Sequence, residues 1–377
     1  MNILVLNLVL YSTDGKKIPE VKSIKDTMIY EMCLGFMANG HCVTLAGAED
    51  YKPVAEEKYD FEVLFFKLAL VRICKPTLSP FSFALYRYLK RNHAKYDMIV
   101  SSEAFSFPTL FAAMVCPSKT VVWQELTTHQ RKFKKIPSKI WHRLIIPVFF
   151  RKVRCVIPRS EKAYMFISRY MGNVSSEIVD HGVNLSNFGF SREKERQLIS
   201  SSQLIYRKNV ESIVWIYSRL VKIKGYEDVK LLIAGRGGQR QSLEELVLKL
   251  NLQDNVSFLG FLNHRDLNDV IKKSYAFLIN TRQDNNMVSI PEAIVSGTPV
   301  VTNLIPITTA DINKEKLGIA KNNWDENDLI EIINNNRSYV DNCVNYREKL
   351  SNRSCAKKIT DIYLGYKNHK DNTISGK

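Results

Sequence analysis

The sequence predicts an α/β protein built from two doubly wound, Rossmann-like domains facing a cleft, and three observations carry that expectation. The chain of 377 residues is longer than one ordinary hydrophobic core accommodates. Through its first half, short apolar runs alternate with stretches whose apolar residues recur at helical spacing. After a polar, charged segment over 187–195 the same alternation starts again.

Residues 3–10 form a continuous apolar run, as expected of a parallel strand buried on both faces. A polar loop with Asp14-Gly15 follows, then a helix over 21–38 with Ile24, Met28, Met32 and Phe36 on one stripe. Asn39-Gly40 closes that helix, and 41–46 reads as the next strand. Further strands are expected at 61–66, 97–101, 120–123 and 155–158, with helices near 80–91, 108–115, 137–150 and 160–170. In the second half, strands over 198–205, 230–234 and 256–260 alternate with helices over 209–220, 241–251 and 264–273. The resulting domains are 1–185 and 186–350, followed by a helix and polar tail over 351–377 that crosses back to the first domain.

Composition narrows the class. With 45% hydrophobic and 24% charged residues the chain is globular. Its seven cysteines never take CxxC spacing, which argues for a reducing compartment and against a disulfide frame or a zinc site. The opening MNILVLNLVLYSTDGKK has no basic leader and reads as a first strand rather than a signal peptide. No stretch approaches the roughly 20 apolar residues of a membrane span, so a cytoplasmic protein, soluble or peripheral on the inner face of the membrane, is expected.

The chain is organised around 277–303, FLINTRQDNNMVSIPEAIVSGTPVVTN. It reads as a strand over 277–280, a polar loop, a short helix and a strand over 299–302. Ser289 supplies a helix N-cap oxygen, Pro291 falls in the first turn, and Gly297 ends the helix. A loop entering a helix at the carboxyl end of a strand presents backbone N–H groups to an anion. Asp284 and Glu292 flank that site, and carboxylates beside a phosphate suit the hydroxyls of a nucleotide sugar.

This pattern of carboxylate, seven residues, Glu, then Ala and Gly-x-Pro-Val-Val resembles the signature of family 4 retaining glycosyltransferases of the GT-B fold. The resemblance implies that Asp284 holds the donor sugar, that the amides of Met287, Val288 and Ser289 hold the diphosphate, and that Glu292 holds the ribose. The family usually has Glu where this chain has Asp284. The segment SSQLIYRKN over 201–209 is similar to the family's Gly-Arg-Leu-x-x-x-Lys-Gly element, with Lys208 matching the Lys. Gln203 stands in place of the Arg, and Arg207 or Arg236 is the expected compensation for the developing charge. Gly235 and Gly237, in KLLIAGRGG over 230–238, either let the backbone approach the donor or simply make a tight turn. IVDHGVN over 178–184 resembles the family's entry to its second domain. His129, in WQELTTHQRK, is either an acid–base group or a surface histidine; Glu103 and Glu125 are weaker candidates on the same side. For Asp14 a plain turn is favoured.

The resemblance implies a retaining hexosyltransferase that uses a nucleotide diphosphate sugar, UDP-linked by preference, and a lipid-linked or saccharide acceptor in cell-surface polysaccharide synthesis. A sugar-nucleotide epimerase of the same fold and a catalytically silent nucleotide-binding relative remain as alternatives. No cofactor is expected, and no metal, since ligand spacing is lacking. The formal charge of +16 is unevenly placed: 129–172 holds twelve Lys and Arg against the single acid Glu161. Within it, 136–154 mixes Trp141, Ile145, Ile146, Val148, Phe149 and Phe150 with basic residues. That is either an amphipathic helix for an anionic membrane, reached through the basic 131–169 segment, or a core helix with a solvated face. Nucleic acid is disfavoured because aromatics are not interleaved with the charges as stacking platforms.

Overall fold

The computed structural model of the chain describes residues 1–11, 18, 20–130, 135–284, 287–306 and 309–371. Asp14-Gly15 and the basic residues Arg131, Lys132 and Lys134 lie outside the described residues. The chain divides into two units, Met1–Gly182 with Asn352–Lys377, and Val183–Ser351.

In the first unit, strands β1 (Asn2–Leu6), β2 (Cys42–Ala48), β3 (Glu62–Phe66), β4 (Met98–Ser102), β5 (Thr120–Gln124) and β6 (Cys155–Pro158) form one parallel sheet in the order β3-β2-β1-β4-β5-β6. Its helices are α1 (Met28–Ala38), α2 (Phe83–Asn92), α3 (Phe107–Val115), α4 (Ile136–Ile140), α5 (Ile146–Phe149) and α6 (Glu161–Ile167). The terminal helix Asn352–Asp371 packs on α1: a side chain at Gly35 would lie 2.3 Å from the carbonyl oxygen of Asn352, and the Asn352 amide donates to Glu31 O at 2.7 Å. Helix α1 begins later than its apolar stripe suggests, because Thr27 caps it through its hydroxyl, which accepts from Tyr30 N at 3.3 Å. Strand β1 stops at Leu6, although Leu8 and Leu10 are also buried; the apolar run reports burial and overstates the strand. The helix expected over 137–150 is three pieces, α4, a π-helical turn over Trp141–Ile145, and α5. Pro147 is the cause, since it has no N–H and its ring would strike the carbonyl four residues back in a regular helix.

In the second unit, β7 (Glu195–Ser201), β8 (Lys230–Ala234), β9 (Val256–Gly260), β10 (Ser274–Ile279), β11 (Val300–Thr302) and β12 (Gly318–Ala320) form a parallel sheet in the order β12-β11-β10-β7-β8-β9. Helices α7 (Val210–Leu220), α8 (Arg240–Lys249), α9 (His264–Ile271), α10 (Ser289–Val295), α11 (Ala310–Lys314), α12 (Glu326–Asn334) and α13 (Asn336–Tyr346) cover its faces. Strand β7 starts three residues earlier than 198, so its exposed first residue, Glu195, is the last of the segment that reads as a linker. Asn313 blunts the outer edge at β12, donating to Ala320 O and accepting from Ala320 N, each at 2.8 Å, as a seventh strand would.

Just before β7, the Lys194 ammonium donates to Lys272 O at 2.8 Å and Thr298 Oγ1 at 3.0 Å, and burial pushes its pKa down to about 7. The folded chain therefore binds fewer protons than the unfolded chain between pH 7 and the ordinary lysine value of 10.5. This group makes stability rise with pH through that window and imposes a constant penalty below it. Replacing the amine, Lys194→Met, should raise the melting midpoint relative to the parent at pH 7, with the difference shrinking as pH approaches 10.5. Melting curves at several pH values check this; a pH-independent difference would assign the effect to packing.

Candidate functional site

The second sheet reverses at β7. From β7 the chain steps outward to β8 and β9, then returns to place β10 on the other side of β7. The loops that follow β7 and β10 therefore leave neighbouring strands at the carboxyl edge in opposite directions, which is where open α/β sheets take ligands. These two loops carry Lys208 and Asp284. They are bonded together: Arg282 N and Thr281 Oγ1 both donate to Arg207 O, at 2.8 and 2.9 Å, and Arg207 donates to Gln283 O at 3.2 Å. The Lys208 ammonium forms an ion pair with Asp284 Oδ2, and their side chains are only 12% and 10% exposed. Arg207 Nη1 lies 3.5 Å from the same oxygen. Asn303, on the loop after β11, ties in from the far side through Asn280 Oδ1 at 3.0 Å and Thr281 O at 2.6 Å.

The neighbouring helix α10 brings Glu292, which is buried, with Oε1 3.4 Å from Nδ1 of His264 at the start of α9. Ser289 is the first helical residue and Val288 takes the cap position, so the hydroxyl of Ser289 caps nothing; Val288 is already in helical conformation, which moves the helix start one residue earlier than a Ser cap would. Met287 is buried in the core beneath β10, leaving only its backbone for a ligand. Residues 285 and 286, in the same turn, lie outside the described residues.

The glycine turn after β8 serves a different approach from the one expected. Gly235 has φ +130°, and side chains at Gly235 and Gly237 would lie 1.9 and 2.2 Å from the carbonyl oxygens of Ser202 and Leu204. Leu204 N donates to Arg236 O and Gln239 N to Leu204 O, both at 2.9 Å. These glycines let the loop after β7 lie directly on the loop after β8, which sets the height at which Lys208 is delivered.

The family model for glycosyl transferases group 1 matches residues 184–352, nearly the span of the second unit. The match is to the second unit's residues, so the likeness to the glycosyl transferases group 1 is a likeness of that unit. The alpha-monoglucosyldiacylglycerol synthase of Streptococcus pneumoniae is 24% identical over 198 residues, 48% of this chain and 44% of that protein. The O-antigen chain mannosyltransferase RfbU of Salmonella typhimurium is 26% identical over 191 residues, 49% of this chain and 53% of that protein. The chain thus aligns with about half the length of these curated relatives. Among solved structures, Alr3699/HepE from Anabaena in complex with UDP superposes with a TM-score of 0.61 at 14% identity, covering 97% of this chain and 100% of that one. At that identity the likeness establishes the fold, which is GT-B.

In the second unit Gln203 is exposed, and of the two residues expected to compensate for it Arg207 is the one beside Asp284. Arg236 instead lies over the Phe261 ring, 5.7 Å from its centroid. Sequence reasoning gave no role to His264, which lies outside the motifs, or to Asn303, the last residue of the 277–303 stretch; the fold brings them to Glu292 and to the loop after β10.

His129 belongs to the first unit. Its Nδ1 meets Ser138 Oγ at 3.2 Å and its Nε2 meets the Tyr170 hydroxyl at 3.0 Å, so both ring nitrogens are engaged. Burial, then the charges of Lys139 and its basic neighbours, hold its pKa below the ordinary histidine value. Its ring lies between Ser138 of α4 and Tyr170, just past α6. Glu103, at φ +67°, accepts from Gln124 Nε2 at 2.9 Å and from Glu125 N at 2.8 Å, linking the loops after β4 and β5. Withdrawal from water and then the Glu125 charge push its pKa up to about 8. Glu125 pairs at 2.6 Å with the buried Arg159, which also meets Asp180 at 3.0 Å.

Because Lys208 and Asp284 are both largely covered, removing one leaves the other poorly compensated. Lys208→Met and Asp284→Asn should each lower the stability of the nucleotide-free chain by about 1–3 kcal/mol. The double variant should lose less than their sum. Denaturant unfolding of the four proteins measures this coupling.

Proposed function

We propose that the chain is a retaining glycosyltransferase that moves a sugar from a nucleotide diphosphate donor to an acceptor hydroxyl. The observation that carries this reading is the Lys208–Asp284 pair at the reversal of the second sheet, with Glu292 on the adjoining helix. Asp284 accepts hydroxyls of the donor sugar, Glu292 the ribose diol, and the backbone at Met287, Val288 and Ser289 meets the diphosphate. Lys208, with Arg207 in place of the usual arginine, stabilises charge as the bond from the anomeric carbon to the phosphate oxygen breaks. The acceptor oxygen forms the new bond on the same face, and its proton passes to the departing phosphate. No metal or cofactor is required in this scheme, since the cationic side chains meet the diphosphate charge. Gly235 and Gly237 support the site by seating the loop that carries Lys208.

The UDP held by the Anabaena protein supports a uridine donor, and relatives named for a diacylglycerol glycolipid and for O-antigen support a lipid-linked or polysaccharide acceptor. An anionic membrane surface suits such an acceptor. Along α4, the π-helical turn and α5, Ile136, Ile140, Leu144 and Val148 recur every fourth residue and all are exposed, with Lys139, Arg143, Arg151 and Lys152 around them. No helix among the described residues is long and apolar enough to cross a membrane, which accords with attachment at the surface. Gln203 favours one second reading, a nucleotide-binding relative without turnover.

Thermal melting with UDP, GDP, ADP and CMP in turn tests the donor site. One diphosphate should stabilise the chain, by about 2.7 kcal/mol at a hundred times its Kd, and Glu292→Ala should abolish the effect. No shift with any nucleotide would remove the donor-site reading. Release of the nucleotide from its sugar conjugate only in the presence of acceptor would separate the transferase from the silent relative.

A further inference from the structure

Between 63 and 96 the chain has no Asp or Glu, yet it carries Lys67, Arg72, Lys75, Arg87, Lys90, Arg91 and Lys95. All seven are exposed on the first unit. This second basic stretch is separate from the one over 131–169. It contains the connection from β3 to α2, and that connection has a defined shape. Its neck is closed where Ala69 N donates to Phe81 O at 2.8 Å and the Ser82 hydroxyl donates to Lys67 O at 2.7 Å. Its tip is closed by Ile73 N and Cys74 N, which donate to Leu70 O at 2.9 and 2.8 Å. Leu70 sits at φ +54°, a conformation that a branched aliphatic residue rarely adopts. The turn held in this way projects aliphatic side chains outward: Leu70 and Val71 are about half exposed and Ile73 is 82% exposed, with Arg72 between them.

The loop is structurally continuous with the apolar ladder on α4 and α5. Phe81, at its neck, lies 4.8 Å from the exposed Phe83 and 5.0 Å from Phe107 by ring centroids. Phe107 in turn lies 5.3 Å from Trp141, in the π-helical turn that carries Leu144. A chain of aromatic rings thus joins the neck of the loop to the helical ladder, and each end shows exposed aliphatics ringed by cations.

We propose that the loop over 67–82 is a second membrane-inserting element of the first unit, placing Leu70, Val71 and Ile73 among the acyl chains of an anionic bilayer while Lys67, Arg72 and Lys75 meet the lipid phosphates. This rests on the membrane reading above and adds a second point of attachment. The combination selects the partner. A nucleic acid would use the seven cations and leave the aliphatic tip in water. A protein partner would need a broad acidic face around an apolar socket, whereas a bilayer supplies anionic headgroups over hydrocarbon everywhere on its surface. Two attached points fix the orientation of the unit on the membrane, where one helix allows rotation about its own axis.

Flotation of the full chain with vesicles of phosphatidylcholine, with and without phosphatidylglycerol, tests the proposal. The parent is compared with Val71→Ser/Ile73→Ser and with Leu144→Ser/Val148→Ser. All four positions are exposed, so melting midpoints and any nucleotide-induced shift should match the parent and show that folding and the donor site are intact. The expected result is binding of the parent to the phosphatidylglycerol vesicles, with each double variant about tenfold weaker, since each shortens the buried apolar area by several methylene equivalents. If the ladder variant is weakened while the loop variant floats like the parent, the loop is not a membrane element and the membrane reading stands alone. A parent that fails to float overturns both. Tight, salt-sensitive binding of an oligonucleotide by all three proteins, with no flotation, would assign the cations to nucleic acid instead and overturn the proposal.

Discussion

The reversal of strand order at β7 is the constraint on which the second unit's chemistry depends. A parallel strand has its next neighbour supplied by a crossover, and when the chain has built outward through β8 and β9 it must return to the open side of β7. The two loops at that seam leave adjacent strands and are bonded to each other through Arg207, Thr281, Arg282 and Gln283. Lys208 and Asp284 meet there because the strands that carry them are adjacent, although they are 76 residues apart in the chain. The close backbone approach at Gly235 and Gly237 is part of the same arrangement, since it fixes the loop after β7 against its neighbour. A side chain at either glycine would displace the loop that delivers Lys208.

Both carboxylates proposed to receive hydroxyls have cationic or histidine partners, Asp284 with Lys208 and Arg207, Glu292 with His264. This is what electrostatics requires of carboxylates that are nearly covered: without a partner their charge would be costly to hold out of water. Donor binding on this scheme is an exchange of partners. The diphosphate draws the cations and the sugar hydroxyls replace them at the carboxylates, so the site is held in a nearly assembled state by interactions of the same kind that the donor would make. The first unit treats its charge differently. Arg159 is buried over the Trp123 ring and held by Glu125 and Asp180, and this network joins the loops after β5 and β6. Its carboxylates are committed to structure, while the exposed surface is left strongly cationic.

Much of the site was legible because its motif is local. The order of strand, loop, helix and strand over 277–303 is set by an apolar run, a polar loop, Pro291 and Gly297, each with a physical effect within a few residues. The spacing that puts Glu292 on the helix and Asp284 on the loop follows from the same stretch. His264 was not legible, because its relation to Glu292 is created by packing α9 against α10. His129 looked like a catalytic group from its pKa class and its place after a strand; what occupies its two nitrogens, Ser138 and Tyr170, is decided by how α4 and α6 fold over it. The basic run over 63–96 was visible in the sequence as a lack of acids. Its significance appeared only with the exposure of Ile73, because an aliphatic residue in a loop reads equally well as core.

The sequence by itself determined the alternation of strands and helices, the two-unit α/β class and the strand-loop-helix-strand order over 277–303, because those depend on periodicity, turn residues and local spacing. The tertiary structure alone decided what each carboxylate pairs with: Glu103 and Glu125 are bonded within the first unit to Gln124 and Arg159, while Asp284 meets Lys208 and Glu292 meets His264 at the carboxyl edge of the second sheet. It also decided that the glycines after β8 accommodate the chain's own backbone. The physical reason is the same in each case. Burial, pairing and close approach depend on residues distant in sequence, and strand order, which the local pattern leaves open, determines which of those residues become neighbours.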